Sequence, residues 1–405
     1  MSIAVYTLTS ALHDEAAVGT VTREFLESID PSGSFEMRKE DFADYGSHDL
    51  DLIYVRTGGT EGIFLKLLPA LLSRCGKKYP FYLLTSGKSN SLAASLEILS
   101  YLRRHGLRGE VIHGSPAYIR SRIQVLEGIS RARHALDGQR LGIVGKPSDW
   151  LIASEADASA IQERLGITLV DIPMAELEAA IDRVPEDTSP MIQLAGSTPE
   201  IKGAYPGAIK IYNALKDIIL RHQLNGFTLR CFDLLSRVHN TGCLALAKLN
   251  AEGYVAGCEG DVPALLSMAI ARALTGVSGF QANPAQIDPQ TGEILFAHCT
   301  VPLDMTTRFS FDTHFESGIG IGIRGHLQEG PVTVFKTAGD LGRYFASEGM
   351  LVRNQSKNDL CRTQIIVKMD AGPEAAAYFL NNPIGNHHII LPGHWKSFID
   401  SILAS

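Results

Sequence analysis

Residues 254–265 read YVAGCEGDVPAL, and this stretch gives the clearest indication of the fold class. A short apolar run over residues 254–258 ends in Glu259, and a helical pattern follows over residues 262–274. An apolar strand that passes directly into a helix is half of a βαβ unit. Residues 228–232 form another apolar run, which predicts a buried strand that presents Asp233. Because ligands of open α/β sheets bind beyond the carboxyl ends of the strands, both acids occupy positions that favour a site.

The same alternation of strands and helices extends back to the N-terminus. Apolar runs and amphipathic stretches alternate up to about residue 138, and the pattern restarts with a new strand over residues 141–144. Beyond residue 276 the runs become short and β-rich, separated by Gly, Pro and Asp turns, which is typical of an antiparallel barrel or sandwich. The predicted fold class is therefore α/β, with two doubly wound α/β domains followed by a β-rich, barrel-like domain. The predicted bounds are 1–138, 139–250 and 251–405, the last carrying part of the site.

Composition excludes several classes of function. The chain has 405 residues and a net charge of −7, so it lacks the basic footprint of a nucleic-acid or anionic-membrane binder. No apolar run reaches about 18 residues, and the N-terminus lacks the basic segment of a signal peptide. The six cysteines are scattered without CxxC spacing, and four of them lie in apolar-rich segments, which predicts buried thiols in a reducing compartment. We expect a cytoplasmic protein with no nucleic-acid and no membrane partner.

The candidate functional site is a metal site made of two carboxylates and one imidazole. Asp233 and Glu259 could hold a hard divalent cation together with a histidine from Gly385-Asn-His387-His388. The alternative for each acid is a cap on the next helix, at roughly even odds. Asp261 is the better cap candidate, because the helical pattern begins directly after it. From the residues alone, the choice between His387 and His388 is open, and His298 and His394 are further candidates.

Two other features could contact a ligand. Asp149 and Trp150 place a carboxylate beside an aromatic ring, which is a common way to hold a sugar, although a tight turn after a strand explains them equally well. The glycine-containing loops 57–61 and 86–90 match neither the dinucleotide-binding fingerprint nor a P-loop.

Nine short motifs, taken together, resemble one superfamily. They are RCFD (230–233), CLAL (243–246), GCEGDVPAL (257–265), AHCTVP (297–302), THFESG (313–318), GNH (385–387), TGGTE (57–61), NSLAA (90–94) and GKPSDW (145–150). In this combination the chain resembles the L-fucose/L-arabinose isomerase superfamily, in its short fucose-isomerase-like branch. The resemblance touches all three predicted domains and is densest between residues 228 and 318.

The resemblance implies a site and a mechanism. Mn²⁺ or another divalent cation would be held by Asp233, Glu259 and His387, the last because the family's ligand directly follows an asparagine. The cation would chelate O1 and O2 of an open-chain sugar, while Asp233 and Glu259 move a proton between C2 and C1 through a cis-enediol. Substrate contacts would come from Asp149, Trp150 and His314.

The resemblance also implies partners and a reaction class. The protein would be a homo-oligomer with active sites between subunits, so that loops 57–61 and 86–90 could serve a neighbouring site. It would be an aldose–ketose isomerase, an intramolecular oxidoreductase, of a pentose, a deoxyhexose or a related sugar. The acids occur in the order Asp then Glu, opposite to L-fucose isomerases, so the sugar stays open. The alternatives are an epimerase or aldolase on the same scaffold, or a non-catalytic sugar-binding protein.

Overall fold

The structure is a computed structural model that describes residues 2–76, 79–185 and 197–404. The chain divides into two compact units, Met1–His134 with Ser401–Ser405, and Ala135–Asp400. The predicted division into three domains at residues 138 and 250 stays a prediction.

The first unit is built on a parallel sheet. Its five strands lie in the order β2-β1-β3-β4-β5, and the strand at the switch point, β1, pairs with both β2 and β3. Four helices connect or follow these strands, and their apolar faces bury Phe64, Leu71 and Ile98. In chain order the elements are β1 (Ile3–Leu8), α1 (Glu15–Ile29), β2 (Glu36–Lys39), β3 (Leu50–Val55), α2 (Glu61–Cys75), β4 (Phe81–Thr85), α3 (Ser91–Arg104), β5 (Gly109–Ile112) and α4 (Pro116–Leu136).

The second unit begins with another parallel sheet, in the order β7-β6-β8-β9. Leu229 at the end of β8 pairs with Cys258 at the end of β9, so the chain leaves both strands at the same edge. The elements are β6 (Arg140–Val144), α5 (Ala158–Leu165), β7 (Thr168–Ile172), α6 (Met174–Arg183), α7 (Pro199–His222), β8 (Gly226–Leu229), α8 (Asp233–Arg237), α9 (Cys243–Ala251), β9 (Val255–Cys258) and α10 (Val262–Thr275).

A closed six-stranded barrel, in the order β10-β11-β16-β15-β14-β17, follows in the same unit. Strand β10 lies between β11 and β17, with Ala282 opposite His388 and Asn283 opposite Ala297. This register brings His298 and His387 to the same end of the barrel. The elements are β10 (Phe280–Ile287), β11 (Glu293–His298), β12 (Thr306–Asp312), β13 (Gly322–Leu327), β14 (Gly330–Thr337), β15 (Tyr344–Gln355), β16 (Thr363–Met369), α11 (Pro373–Asn381) and β17 (His388–Pro392). The last helix, α12 (Lys396–Ala404), begins in this unit and ends in the first.

The predicted fold class, two α/β parts followed by a barrel, is confirmed. One local prediction is wrong: β8 ends at Leu229, and Asp233 opens the short helix α8 instead of ending a strand. The strand stops because the chain turns on itself, with the amide of Cys231 donating to the carbonyl of Leu229 at 2.8 Å. Each of the six cysteines is a free thiol. Among the described helices, none has the length and apolar character needed to cross a membrane.

Candidate metal centre

Three buried side chains from distant parts of the second unit meet at one point. They are Glu259, His298 and His387, which we call the metal group, and one candidate ligand atom of each lies within 4.8 Å of the others. Glu259 directly follows β9, His298 is the last residue of β11, and His387 directly precedes β17. The parallel sheet therefore supplies the carboxylate, and the barrel supplies both imidazoles.

The backbone at Glu259 is strained. Its φ of +66° lies in the left-handed region. Residues other than glycine rarely adopt this region, because it costs about 1–3 kcal/mol of conformational free energy. The next residue, Gly260, has φ +72°, and a Cβ there would lie 2.6 Å from the carbonyl oxygen of Lys146. The Glu259 carbonyl in turn accepts a hydrogen bond of 2.9 Å from the amide of Ser148. The turn that presents Glu259 is thus pressed against loop 146–148, and strained backbone of this kind clusters at functional sites.

The two oxygens of Glu259 have different partners. Oε2 accepts a hydrogen bond of 2.7 Å from the indole Nε1 of Trp150. Oε1 lies 3.4 Å from Nε2 of His387 and 3.9 Å from Nε2 of His298. Burial alone would raise the pKa of Glu259, but the neighbouring imidazoles and the indole N–H outweigh it and lower the pKa to about 2. Glu259 is therefore a carboxylate with one oxygen directed at the histidines.

His387 is fixed through its other nitrogen. Nδ1 lies 2.8 Å from Oδ2 of Asp261, so Nδ1 carries a hydrogen and donates it. Nε2 makes no hydrogen bond to any residue in the described ranges, although it is buried. Burial would lower the pKa of His387, but the carboxylates of Asp261 and Glu259 raise it to about 9. The two carboxylates thus favour the positively charged form of the His387 imidazole.

Asp261 has the structural role that the sequence predicts. It is the N-cap of α10, and its Oδ1 accepts a hydrogen bond of 2.8 Å from the amide of Ala264. The capping role leaves Glu259 without a helix to cap, which removes the alternative explanation for that acid.

His298 completes the group as a neutral imidazole. Its Nδ1 lies 3.0 Å from the hydroxyl oxygen of Thr300, and its ring lies edge-on to that of His387 with centroids 5.4 Å apart. Burial and the nearby charge of His387 lower the pKa of His298 to about 3. A neutral imidazole with one nitrogen engaged by a hydroxyl is the form that binds a metal ion.

This donor set fits a divalent cation. One carboxylate oxygen and two imidazole nitrogens are ligands that first-row divalent metals accept. Nε2 of His387 has no hydrogen-bond partner among the described residues, and it lies 3.4 Å from Oε1 of Glu259. These two atoms could therefore bind the same cation. A bound cation would displace the proton from His387.

Asp233 belongs to a different cluster. Its Oδ1 accepts a hydrogen bond of 3.0 Å from Nε of Arg230, whose Nη2 also donates to Oδ2 of Asp149 at 2.8 Å. The side chain of Asp233 is 31% exposed, whereas the three residues of the metal group are buried. The structure joins Asp233 and Asp149 through one arginine, and a ligand role for Asp233 stays a prediction.

The other candidate histidines have other surroundings. The Nε2 of His388 lies 3.0 Å from the hydroxyl of Tyr378, and its Nδ1 lies 3.1 Å from the carbonyl oxygen of Asn386. His394 is largely exposed and lies 3.4 Å from Glu348. Of the adjacent pair, His387 is therefore the residue that faces Glu259.

An aromatic row adjoins the metal group. The ring of Trp150 lies edge-on to Phe232 at 4.8 Å, and Phe232 lies edge-on to His314 at 5.5 Å. The Nδ1 of His314 is engaged by the hydroxyl of Ser317 at 3.0 Å. Trp150 joins this row to the metal group through its N–H on Glu259. Two of the three predicted substrate contacts, Trp150 and His314, thus lie in one row, and Asp149 lies in the arginine cluster.

Comparison with known proteins gives a partial match. No family model matches the chain. It is 23% identical over 267 residues to the sulfoquinovose isomerase of Priestia aryabhattai, which covers 62% of this chain and 59% of that protein. It is 24% identical over 235 residues to the sulfoquinovose isomerase of a Clostridium species (strain MSTE9), which covers 56% of this chain and 49% of that protein. The match therefore spans about half to three fifths of each relative's length.

Proposed function

We propose that this chain is a metal-dependent aldose–ketose isomerase that acts on a sulfonated deoxyhexose of the sulfoquinovose type. The observation that carries the proposal is the buried group of Glu259, His298 and His387, whose ligand atoms converge within 4.8 Å. The similarity to sulfoquinovose isomerases supports both the sugar class and the reaction. The resemblance to the fucose-isomerase-like branch, with its homo-oligomers and inter-subunit sites, is part of the same proposal.

Glu259, His298 and His387 would hold the cation, for which we propose Mn²⁺. When bound, the cation would polarise the carbonyl at C1 and so make the proton on C2 more acidic. The chain's own contribution is to keep Glu259 ionised by means of the Trp150 N–H and to keep His298 neutral. Both ligands are then ready to bind without a proton having to leave them first.

Isomerisation moves one proton from C2 to C1 and another from O2 to O1, through a cis-enediol. Asp233 is the carboxylate that we propose for the transfer between the carbons, because it is partly exposed and held by Arg230 at 3.0 Å. A positioned carboxylate contributes about 10²–10⁴-fold to such a step. Glu259 would be the second acid of the proposed pair.

Trp150 and Asp149 would hold the sugar. The indole is 51% exposed while its N–H stays on Glu259, so one face is open to a sugar ring. Asp149 is largely exposed and offers a carboxylate to hydroxyl groups. His314 lies at the far end of the same aromatic row.

The decisive experiment incubates the protein with Mn²⁺ and sulfoquinovose in D₂O and follows the sugar by NMR. Glucose, fucose and arabinose are the parallel substrates, and protein treated with a chelator is the control. We expect deuterium at C1 of the ketose product or at C2 of recovered aldose, with the fastest turnover on sulfoquinovose. Activity should disappear with the chelator and return with Mn²⁺.

The alternative functions would give different NMR spectra of the sugar. An epimerase would yield a second aldose with deuterium at C2, and an aldolase would yield two shorter products. Absence of exchange from every sugar of the panel, with binding retained, would mean a sugar-binding protein and would overturn the proposal.

A further inference from the structure

A lysine lies fully buried in the wall of the barrel. Lys336 belongs to β14, and its side chain is 0% exposed. Its Nζ lies 3.1 Å from Oδ2 and 3.4 Å from Oδ1 of Asp261, whose side chain is also 0% exposed. Burying both charges costs several kcal/mol per ion before their attraction is counted, and apolar residues of similar size are often as stable. Stability alone therefore gives a poor reason for this pair.

Asp261 connects the lysine to the metal group. The oxygen that lies closer to Lys336, Oδ2, also accepts the hydrogen of His387 Nδ1 at 2.8 Å. The other oxygen, Oδ1, accepts from the amide of Ala264 at the start of α10. The carboxylate is thus held from a helix, a barrel strand and the residue before β17, and it cannot rotate without losing a partner.

We infer that Lys336 is a positioning residue for the metal group, acting through Asp261 on His387. The ion pair fixes the plane of the Asp261 carboxylate, and that carboxylate holds a hydrogen of His387 on Nδ1, so that Nε2 is the nitrogen left for a cation. The ring is thereby aimed so that Nε2 meets Oε1 of Glu259. This inference rests on the metal site of the proposed function, but it concerns cation affinity and not the sugar.

The expected effect is a loss of metal affinity. Removing a residue that orients a metal-binding histidine typically lowers affinity about 10–100-fold. Lys336→Met removes the charge while keeping a flexible chain of similar length, so that Asp261 loses its fixed orientation. We expect this variant to bind Mn²⁺ about 10–100-fold more weakly than the wild type.

The test measures Mn²⁺ affinity by calorimetry, at a temperature where each protein is folded. Thermal unfolding of each protein is measured in parallel. The matched control is Lys368→Met, which changes an exposed lysine on another barrel strand, β16, and should leave the affinity unchanged. Because Lys336→Met leaves Asp261 as an unpaired buried charge, the double variant Asp261→Asn with Lys336→Met removes both charges. We expect the same loss of affinity from it, with a smaller loss of thermal stability.

A folded Lys336→Met or double variant with wild-type Mn²⁺ affinity would overturn the inference, even if the wild type isomerises sugar. Failure of both variants to fold would also overturn it, because the pair would then serve the fold. A wild type that binds Mn²⁺ but turns over no sugar would overturn the proposed function alone. A wild type without Mn²⁺ affinity would overturn both.

Discussion

Glu259 combines several demands in a single residue. Its backbone is left-handed, one of its oxygens accepts the indole N–H, and the other faces two imidazoles. Because the indole fixes Oε2, the carboxylate cannot swing away from the histidines. A glutamine at this position could keep the contact with Trp150 but would lack the negative charge.

Single substitutions should separate the metal ligands from the proton-transfer residue. We expect His298→Ala and Glu259→Gln to weaken Mn²⁺ binding about tenfold or more, because the first removes an imidazole nitrogen and the second removes the negative charge of the carboxylate. Asp233→Asn should keep the Mn²⁺ affinity and lower kcat, since Asp233 contacts Arg230 and not the histidines. Calorimetry gives the affinities, and steady-state rates on the identified sugar give kcat.

The exposed histidine supplies the control for this series. His394→Ala should change neither quantity, because His394 lies against Glu348 at the barrel surface. Loss of Mn²⁺ affinity in Asp233→Asn would instead make that acid a ligand, as the family resemblance implies.

At the residue scale, the sequence predicted the acids better than the histidines. Glu259 and Asp261 follow a strand and precede a helix, so local patterns alone assign their positions and the capping role of Asp261. The choice between His387 and His388 depends on which of two adjacent side chains faces inward, and only the barrel register decides it. His298 was one candidate among several, because the two residues that it meets in the metal group, Glu259 and His387, are more than 35 residues away along the chain.

At the scale of elements, one glutamine joins the parallel sheet to the barrel. Gln281 lies in β10, and its side-chain amide pairs with the end of β9: Oε1 accepts from the amide of Cys258 at 2.8 Å, and Nε2 donates to the carbonyl of the same residue at 3.3 Å. The side chain takes the place of a further strand beside β9. Because Glu259 follows Cys258, this contact also fixes the start of the turn that presents Glu259.

Gln281→Leu should both destabilise the second unit and lower its affinity for Mn²⁺. The substitution leaves a buried amide and a buried carbonyl with fewer partners, which costs about 1–3 kcal/mol. Urea unfolding measures the loss, and calorimetry should give a lower Mn²⁺ affinity. Gln286→Leu, at an exposed position of the same strand, is the control and should change neither. Unchanged unfolding in Gln281→Leu would contradict the role of the contact.

Local patterns predicted most strands of the barrel but not their partners. Phe280 pairs with Ile390, 110 residues later, and nothing in either stretch specifies the other. Closure of the barrel depends on such pairings, which the apolar alternation of single strands leaves undetermined. The twelve-residue strand β15 shows little apolar alternation, because many of its positions are polar or only partly buried.

The candidate metal group lies inside one of the two units. Glu259, His298 and His387 all belong to Ala135–Asp400, and none of them to Met1–His134. A ligand that binds only the folded form stabilises it by about 2.7 kcal/mol at a hundred times its dissociation constant. We therefore expect Mn²⁺ to slow amide hydrogen exchange in peptides from Ala135–Asp400 and to leave Met1–His134 unchanged.

Exchange measured by mass spectrometry tests this expectation. The Glu259→Gln variant should show no protection at the same Mn²⁺ concentration. Protection that is strongest in Met1–His134 would mean that the cation binds at another place.

The hydrogen bond between Trp150 and Glu259 gives the protein an optical signal of its own. The chain contains two tryptophans, and the other, Trp395, donates its N–H to the carbonyl of Pro392. Indole emission responds to the charge and hydrogen bonding of its N–H, and a paramagnetic ion nearby quenches it. Replacing Trp395 with phenylalanine would leave Trp150 as the single tryptophan, so that filling of the metal group could be followed by tryptophan fluorescence without any label.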